Sequence, residues 1–372
     1  MSLFLGLMSG TSLDGVDAVA VEWVHDDAPT MQVGGHVHHP FDGHLRDRLL
    51  ALNAAQPDEL EKAGAAAIAL ARAYADAVQD LLSRNGLYRD RVRAIGAHGQ
   101  TVRHCPQAEE GGFSIQLLNG AVLAEACGID VVCDFRSRDL AAGGQGAPLV
   151  PAFHAGCFAR RGEARAVLNL GGIANVTLLH ADGRVAGFDT GPANVLLDAW
   201  AGLHRGGVPY DAEGRWAASG RVDEGLLQQM LSEPYFGRSP PKSTGRDLFQ
   251  VEWLKRHLDA LGRTPATVDI QATLVELTVR SVADALQRHL PDGRGLWVCG
   301  GGALNAHLMA RLAAALPQWH VQTTDTLGLP PMQVEAVAFA WLAREFVERR
   351  AAGRPEVTGA KGSRMLGCLY PA

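Results

Sequence analysis

Apolar positions recur along the chain with two periods, and the changes between them mark out the elements. Leu3 to Met8 is a short apolar run leading into a turn-rich stretch, SGTSLDG. From Val16 to Trp23 the chain predicts a second strand, with Val16, Ala18, Ala20 and Glu22 on one face and Asp17, Val19, Val21 and Trp23 on the other. Met31 to His38 predicts a third, antiparallel strand. After Pro57 the period lengthens: Leu60, Ala63, Ala67, Ile68, Ala71, Ala75, Val78 and Leu82 form one helical stripe, which Asn85-Gly86 stops. Val92 to Ala97 and Ile129 to Cys133 are apolar enough for buried strands. They run into His98-Gly99-Gln100-Thr101 and Asp134-Phe135-Arg136.

Leu140 to Pro151 is rich in glycine and proline and is expected to be a crossing between domains. Beyond it the opening pattern returns. Ala166 to Leu170 is an apolar run, Gly171-Gly172 a tight turn, Ala174 to Leu179 a second strand, and Val185 to Phe188 a third after a turn at Gly183. Strand, glycine turn, strand therefore stands near the start of each half, as a structural duplication would leave it. Pro192 is expected in the first turn of a helix to about Trp200. Further helices are predicted over Arg246 to Leu261 and Thr267 to Leu290. Leu296 to Cys299 predicts a strand before Gly300-Gly301-Gly302, with a helix from Leu304 to Leu316. The last helix, Gln333 to Arg349, carries an apolar face of Ala336, Phe339, Ala340, Ala343, Phe346 and Val347.

Composition narrows this picture. A chain of 372 residues exceeds the ~250–300 at which single cores stop growing, so two domains are expected. With 47% hydrophobic residues, 43 glycines and only 6% aromatics, α/β layering is favoured over a β-sandwich. A net charge of −6 argues against a nucleic-acid groove, which needs a clustered basic surface. The six cysteines are scattered without a CxxC pair, which fits a reducing compartment. There is no basic leader before Leu3, and no apolar run is long enough to span a bilayer, so a cytoplasmic location is expected.

Four segments carry candidate chemistry. In GLMSGTSLDGVDA, Gly6 to Ala18, the glycines at 6, 10 and 15 allow backbone N–H groups to point at an anion, and Ser9, Thr11 and Ser12 add hydroxyl donors. Asp14 and Asp17 are placed to hold a hydrated Mg²⁺ beside phosphates, although an ordinary hairpin also uses Gly, Ser and Asp. Neither a Walker P-loop nor a GxGxxG fingerprint is present, and the Pro-Lys-Ser-Thr-Gly at 241–245 lacks the upstream glycine and strand. In FDTGPAN, Phe188 to Asn194, Asp189 at the carboxyl edge of a sheet is either a general base or a helix N-cap. CGGGALN, Cys299 to Asn305, allows a flat ligand such as a purine with its ribose to lie on the backbone, or a close strand-to-helix turn. His98, Gln100, Thr101, Arg136 and Arg138 suit hydrogen bonding to a polyhydroxylated, acidic substrate. His36 and His38 in HVHH share a strand face, but without an adjacent carboxylate or cysteine they read as a solvated strand end.

In this order the motifs resemble the anhydro-N-acetylmuramic acid kinases, of the sugar kinase, actin and heat-shock-chaperone ATPase superfamily. The likeness runs over the full length, from GLMSGTSLDGVD through HGQT, DFRSRDLAAGGQGAPLVPAFH, NLGGIANVT, FDTGPANVLLD, PKSTGRDLF and CGGGALN to QVEAVAFAWLA. It implies two related actin-like ATPase domains with mixed sheets, at residues 1–137 plus 345–372 and at 138–344, with ATP in the cleft between. It implies that Gly10, Thr11, Ser12, Leu13, Asp14, Gly15, Val16 and Asp17 bind the triphosphate, that Gly171 and Gly172 form a second phosphate loop, and that Gly300, Gly301, Gly302 and Asn305 flank the adenosine. The family opens the 1,6-anhydro bridge with water while phosphorylating O6, a step of peptidoglycan recycling. Asp189 then matches the general base and Glu335 a second carboxylate near the water, with His98, Gln100, Thr101 and Arg136 on the sugar.

One departure stands out. Many superfamily members carry an aspartate for the metal at the end of the first strand, where this chain has Met8-Ser9, so Mg²⁺ falls to Asp14, Asp17 or Asp189. A homodimer is implied only by analogy. A sugar sensor of this fold would need an appended DNA-binding helix-turn-helix and a chaperone-like ATPase a peptide-binding extension, and neither is expected here.

Overall fold

The computed structural model describes residues 2–10, 12–24, 31–109, 111–245 and 247–372. The chain forms two compact units, Met1–Cys157 with Gln333–Ala372, and Phe158–Met332. The first contains β1 (Ser2–Met8), β2 (Gly15–Trp23), β3 (Met31–Pro40), β4 (Val92–Ala97), β5 (Gln100–Cys105), β6 (Phe113–Leu117) and β7 (Val131–Cys133). Its main sheet has the order β7-β4-β1-β2-β3, with the strand Cys368–Tyr370 added outside β7. β1, β2 and β3 form an antiparallel meander, and β4 and β7 run parallel to β1 and to each other. In the second unit β8 (Arg165–Leu170), β9 (Ile173–Leu179), β10 (Val185–Pro192), β11 (Gly295–Cys299) and β12 (His320–Thr323) have the order β10-β9-β8-β11-β12.

The two sheets share one plan: third, second, first, fourth, fifth, with the first three strands antiparallel and the last two parallel to the first. The duplication that the glycine turns predicted is therefore present as topology. Both units are α/β with mixed sheets.

In the first unit alternation sorts the side chains to two helical layers. Leu3, Leu5 and Leu7 of β1 join Val16, Ala18 and Ala20 of β2 in a core with Leu70, Tyr74, Val78 and Leu81 of the helix Glu59–Arg84. The opposite face meets the helix Val334–Val347, which lies on β1, β2 and β4. Contact there is close enough to require glycine. A Cβ on Gly6 would come within 1.9 Å of the Ala336 carbonyl oxygen, and one on Gly96 within 2.0 Å of that of Phe339. In the second unit the helix Thr267–His289 is buried around most of its circumference, polar Gln271, Thr273, Glu276 and Thr278 included, and Ile270, Leu274, Leu277 and Val282 join the β8–β10 core.

Several elements differ from the sequence reading. The helix of residues 334–347 belongs wholly to the first unit, because β1 and β4 are its partners, so the boundaries fall at 157/158 and 332/333 rather than at 138 and 344. The segment 140–151 is not a crossing. The buried Asp139 carboxylate accepts from Gly146 N–H (2.8 Å) and the Thr358 hydroxyl (2.8 Å), and Gln145 N–H donates to Thr358 O, which fastens it within the first unit. Pro192 ends β10, opposite Ile173, and the helix after it begins at Asn194. The β5–β6 hairpin and the strand Cys368–Tyr370 were not anticipated, although Phe113, Ile115 and Leu117 alternate along β6.

Gly96→Ala is expected to lower stability by about 1–3 kcal/mol or more, as an added methyl does where backbone rather than a flexible side chain must yield. Urea unfolding followed by circular dichroism measures it, and a change within ~0.5 kcal/mol would contradict so close an approach.

Candidate functional site

The candidate residues fall into two groups, one in each unit. In the first unit the β1–β2 turn starts with Gly10, whose carbonyl accepts from Leu13 N–H at 3.3 Å. Leu13 is buried and has φ +57, a left-handed conformation that a branched side chain adopts at a cost of about 1–3 kcal/mol. The turn keeps it by inserting the side chain into the core. Ser12 Oγ donates to Asp14 Oδ1 at 2.7 Å. Thr11 lies outside the described residues. Gly15 is explained by packing, since a Cβ there would fall 2.4 Å from His39 O, whereas Gly10 has no atom within 3.6 Å of that position. Val16 is fully buried, so only its backbone faces the turn.

Asp17 lies on β2 opposite Met8 and His38. One of its oxygens meets His36 Nε2 at 3.0 Å and His38 Nδ1 at 3.1 Å. The HVHH segment is therefore not a merely solvated strand end: the carboxylate that the local sequence lacks arrives from the neighbouring strand. Ser9, at the place of the superfamily's metal aspartate, is buried; its Oγ is 2.7 Å from the Tyr74 hydroxyl and also reaches Gly99 O.

The ends of β4 and β7 bring His98 and Arg136 together, with Arg136 Nη2 donating to His98 Nε2 at 2.9 Å and Nη1 to Gly146 O at 2.9 Å. Burial, and then the Arg136 charge, push the His98 pKa down to about 3, so the ring is neutral. Burial lowers Arg136 to about 10, with the Glu335 charge acting in the opposite direction. Glu335 opens the helix Val334–Val347. Burial raises its pKa, Arg136 lowers it, and Asp17 raises it further. Gln100 is buried at the start of β5, and Thr101 accepts from Gln116 Nε2 at 3.2 Å. Among the described residues nothing bonds Arg136 Nε or Gln100 Oε1, two buried polar atoms that a hydroxylated ligand would satisfy.

In the second unit Asp189 lies within β10, three residues before its end. Residues 46 to 55 positions further on hold it at three points. Thr244 N–H donates to Asp189 Oδ2 (3.0 Å), Asp189 N–H donates to Lys242 O (3.2 Å), and the Tyr235 hydroxyl donates to Asp189 O (2.7 Å). Burial pushes the Asp189 carboxyl up to about 6, against the opposing pull of the Thr244 N–H bond and the Lys242 charge. The carboxylate caps no helix, because the helix that follows begins at Asn194 with Ala193 as its cap residue. Tyr235, Lys242 and Thr244 were not legible as partners, since no spacing links them to Asp189.

The Gly171-Gly172 turn joins β8 to β9, and its carbonyls accept from the N–H groups of Ala193, Asn194 and Val195 at 3.0 Å. Side chains at either glycine would meet no atom closer than 3.8 Å, so neither residue is required by protein packing. Gly300 and Gly302 contrast with this. A Cβ on Gly300 (φ +78) would come 2.3 Å from Asn169 Oδ1 and one on Gly302 2.5 Å from Leu170 Cβ, as in a close strand-to-helix turn. Gly301 has room, and Asn305 Oδ1 caps the helix Ala306–Ala315 by accepting from Leu308 N–H.

No helix among the described residues is long and apolar enough to cross a membrane. Among solved structures, an activator of the 2-hydroxyisocaproyl-CoA dehydratase from Clostridium difficile with bound ADPNP aligns over 93% of this chain and 96% of its own, at 12% identity and a TM-score of 0.48. A ROK family glucokinase from Streptomyces griseus in complex with glucose and AMPPNP aligns over 92% and 100%, at 14% identity and a TM-score of 0.40. The sequence relatives are far closer. An anhydro-N-acetylmuramic acid kinase from Bordetella petrii is 57% identical over 372 residues, covering all of this chain and 96% of the relative. One from Cupriavidus metallidurans is 52% identical over 374 residues, covering 99% and 97%. The family profile described as anhydro-N-acetylmuramic acid kinase matches residues 2–372, and the chain belongs to that family.

Proposed function

We propose that this protein is an ATP-dependent kinase that opens 1,6-anhydro-N-acetylmuramic acid with water and phosphorylates O6, giving N-acetylmuramic acid 6-phosphate and ADP. Family membership over the whole chain supports the reaction class. The observation that carries the mechanism is Asp189: a carboxylate raised to about 6 and fixed by the Thr244 amide. Such a group is ionised near neutral pH yet basic enough to take a proton.

Asp189 takes a proton from water as the water oxygen bonds to C1. The C1–O6 bond breaks, and its electron pair leaves O6 as the nucleophile. O6 bonds to the γ-phosphorus, the bond to the bridging oxygen breaks, and ADP departs. Glu335 serves as the second carboxylate of this reaction. The neutral His98 ring, Gln100, Thr101 and Arg136 hold the sugar, with the unpaired Arg136 Nε and Gln100 Oε1 as the atoms that gain partners. Arg136 also supplies positive charge for the acidic side chain of the muramic acid.

The turn from Gly10 to Asp17, Thr11 included, and the Gly171-Gly172 turn hold the triphosphate. The absence of packing demands at Gly10, Gly171 and Gly172 supports this part of the reading. Gly300, Gly301, Gly302 and Asn305 flank the adenosine, Gly301 being the glycine with space beside it. Mg²⁺ bound by Asp14, Asp17 or Asp189, directly or through water, would neutralise triphosphate charge. The protein acts in the cytoplasm on the products of wall turnover, in the homodimeric state that the family resemblance implies.

The decisive experiment incubates the full chain with ATP, Mg²⁺ and the anhydro sugar and follows ADP release and sugar mass. Stoichiometric sugar phosphate, with one ¹⁸O from labelled water at C1, is the expected result; ADP without sugar phosphate would refute the assignment. Asp189→Asn should lower kcat by roughly 10²-fold or more, with ATP affinity unchanged by calorimetry. Because the base must be ionised, kcat for the native protein should fall as pH drops through about 6. A flat profile from pH 5 to 8 would assign the proton to another group.

A further inference from the structure

Beneath β10 the second unit holds a cavity of about 210 Å³ that takes no part in the reaction as written. Asp189 directs its carboxyl toward the Thr244 amide, while the next residue, Thr190, is buried and lines this cavity. The remaining wall includes Phe236, Lys242 and, from the last turns of the helix Thr267–His289, Ser281, Arg288 and His289. The space is smaller than the ~300–1,000 Å³ of sites for drug-sized ligands, yet several times the ~30 Å³ share of one water.

Cations collect at helix C-termini in any case, and that partial negative charge accounts for Arg288 and His289. It does not account for Lys242. This ammonium comes from the 241–245 loop and reaches the Tyr235 and Phe236 carbonyls at 3.3 and 3.4 Å, 4.7 Å from the centre of the Tyr235 ring. Two of its three hydrogens are used in this way, leaving one. Burial holds its pKa below the ordinary lysine value, and the Arg288 and Arg238 charges lower it further. His289 packs edge-on against Phe188, ring centres 5.2 Å apart, and burial with the Arg288 and Lys242 charges depresses it too. The carboxylate on the lining, Asp284, is exposed, and Asp189 acts on Lys242 from the strand. Basic groups from separate segments thus line one cavity, Lys242 and His289 part-buried and Arg288 exposed at its rim, where a bound anion would offset their charge.

We propose that this cavity is a second binding site, for a small oxyanion held by Lys242, Arg288 and His289 behind the strand that carries Asp189. Phosphate and carboxylate share the chemistry the site recognises, and the test separates them. The Asp189 N–H bond to Lys242 O connects this wall directly to the backbone of the proposed base.

Inorganic phosphate and, separately, acetate are titrated calorimetrically into the full chain, with and without saturating AMPPNP. The nucleotide fills the triphosphate positions, so binding that survives it belongs to another site. One anion per chain should bind at millimolar concentrations, and Arg288→Gln or His289→Asn should weaken it about tenfold. AMPPNP affinity and the thermal midpoint should stay unchanged in at least one of these variants. Tighter phosphate than acetate binding would assign a phosphate-bearing ligand, and the reverse a carboxylate. Absence of either anion in the AMPPNP-saturated chain, or binding that neither variant weakens, overturns the proposal. Loss of AMPPNP binding itself would instead count against the kinase reading, and the nucleotide-free titration would still test the anion site.

Discussion

The first unit depends on how closely one helix lies on its sheet. Gly6 and Gly96 remove the side chains that would hold the backbone of residues 334–347 away from β1 and β4. The carbonyls of Ala336 and Phe339 occupy that space, and the first turn, with Glu335, is fixed by the same contact. Phe339 carries the consequence outward: its ring lies 4.7 Å from His98 and 5.6 Å from Phe135, so the strand ends that hold the polar cluster are packed against this helix. A side chain of even one carbon at either glycine would alter the setting of Glu335, Arg136 and His98 together.

Burial then gives those groups their chemical character. His98 is neutral because its ring is withdrawn from water beside a guanidinium, and Arg136 keeps its charge because even a pKa near 10 is far above neutrality. Asp189 is treated differently in the second unit. It receives one backbone N–H at its carboxylate and a lysine charge close by, which offset only part of the burial. Full satisfaction would have made it a weak base, and no satisfaction would have left it protonated. The 235–244 loop sets this intermediate state.

Much of the architecture was legible because it is written in local patterns. Alternation in β2, the stripe of the helix Glu59–Arg84 and the two glycine turns needed only neighbouring residues, and the shared strand order of the two sheets follows from them. Asp189 was singled out from its motif and Glu335 from the family resemblance, whereas the partners around them were not legible. The His36–Asp17–His38 arrangement depends on the β2–β3 register, and Asp139–Thr358 spans 219 residues. The clamp on Asp189 by Thr244 spans 55. Such contacts leave no periodicity, so the partners they join could not be read in advance.

The glycines show why motif and role must be argued apart. Gly300 and Gly302 sit in a stretch that reads like a ligand loop, yet the backbone and side chains of residues 169–170 already explain them. Gly171 and Gly172 resemble an ordinary hairpin turn, yet no protein atom demands their lack of a side chain. In an α/β chain with this much glycine, a residue whose Cβ would collide reports on packing, whichever motif contains it. One whose Cβ would meet open space has to be explained by backbone conformation or by something that binds. No positive φ occurs at 171 or 172, so neither packing nor a left-handed backbone demands glycine in the second turn. The glycines of the two turns thus differ in cause: Gly6 and Gly15 serve the protein's own packing, whereas protein packing makes no demand at Gly10, Gly171 or Gly172.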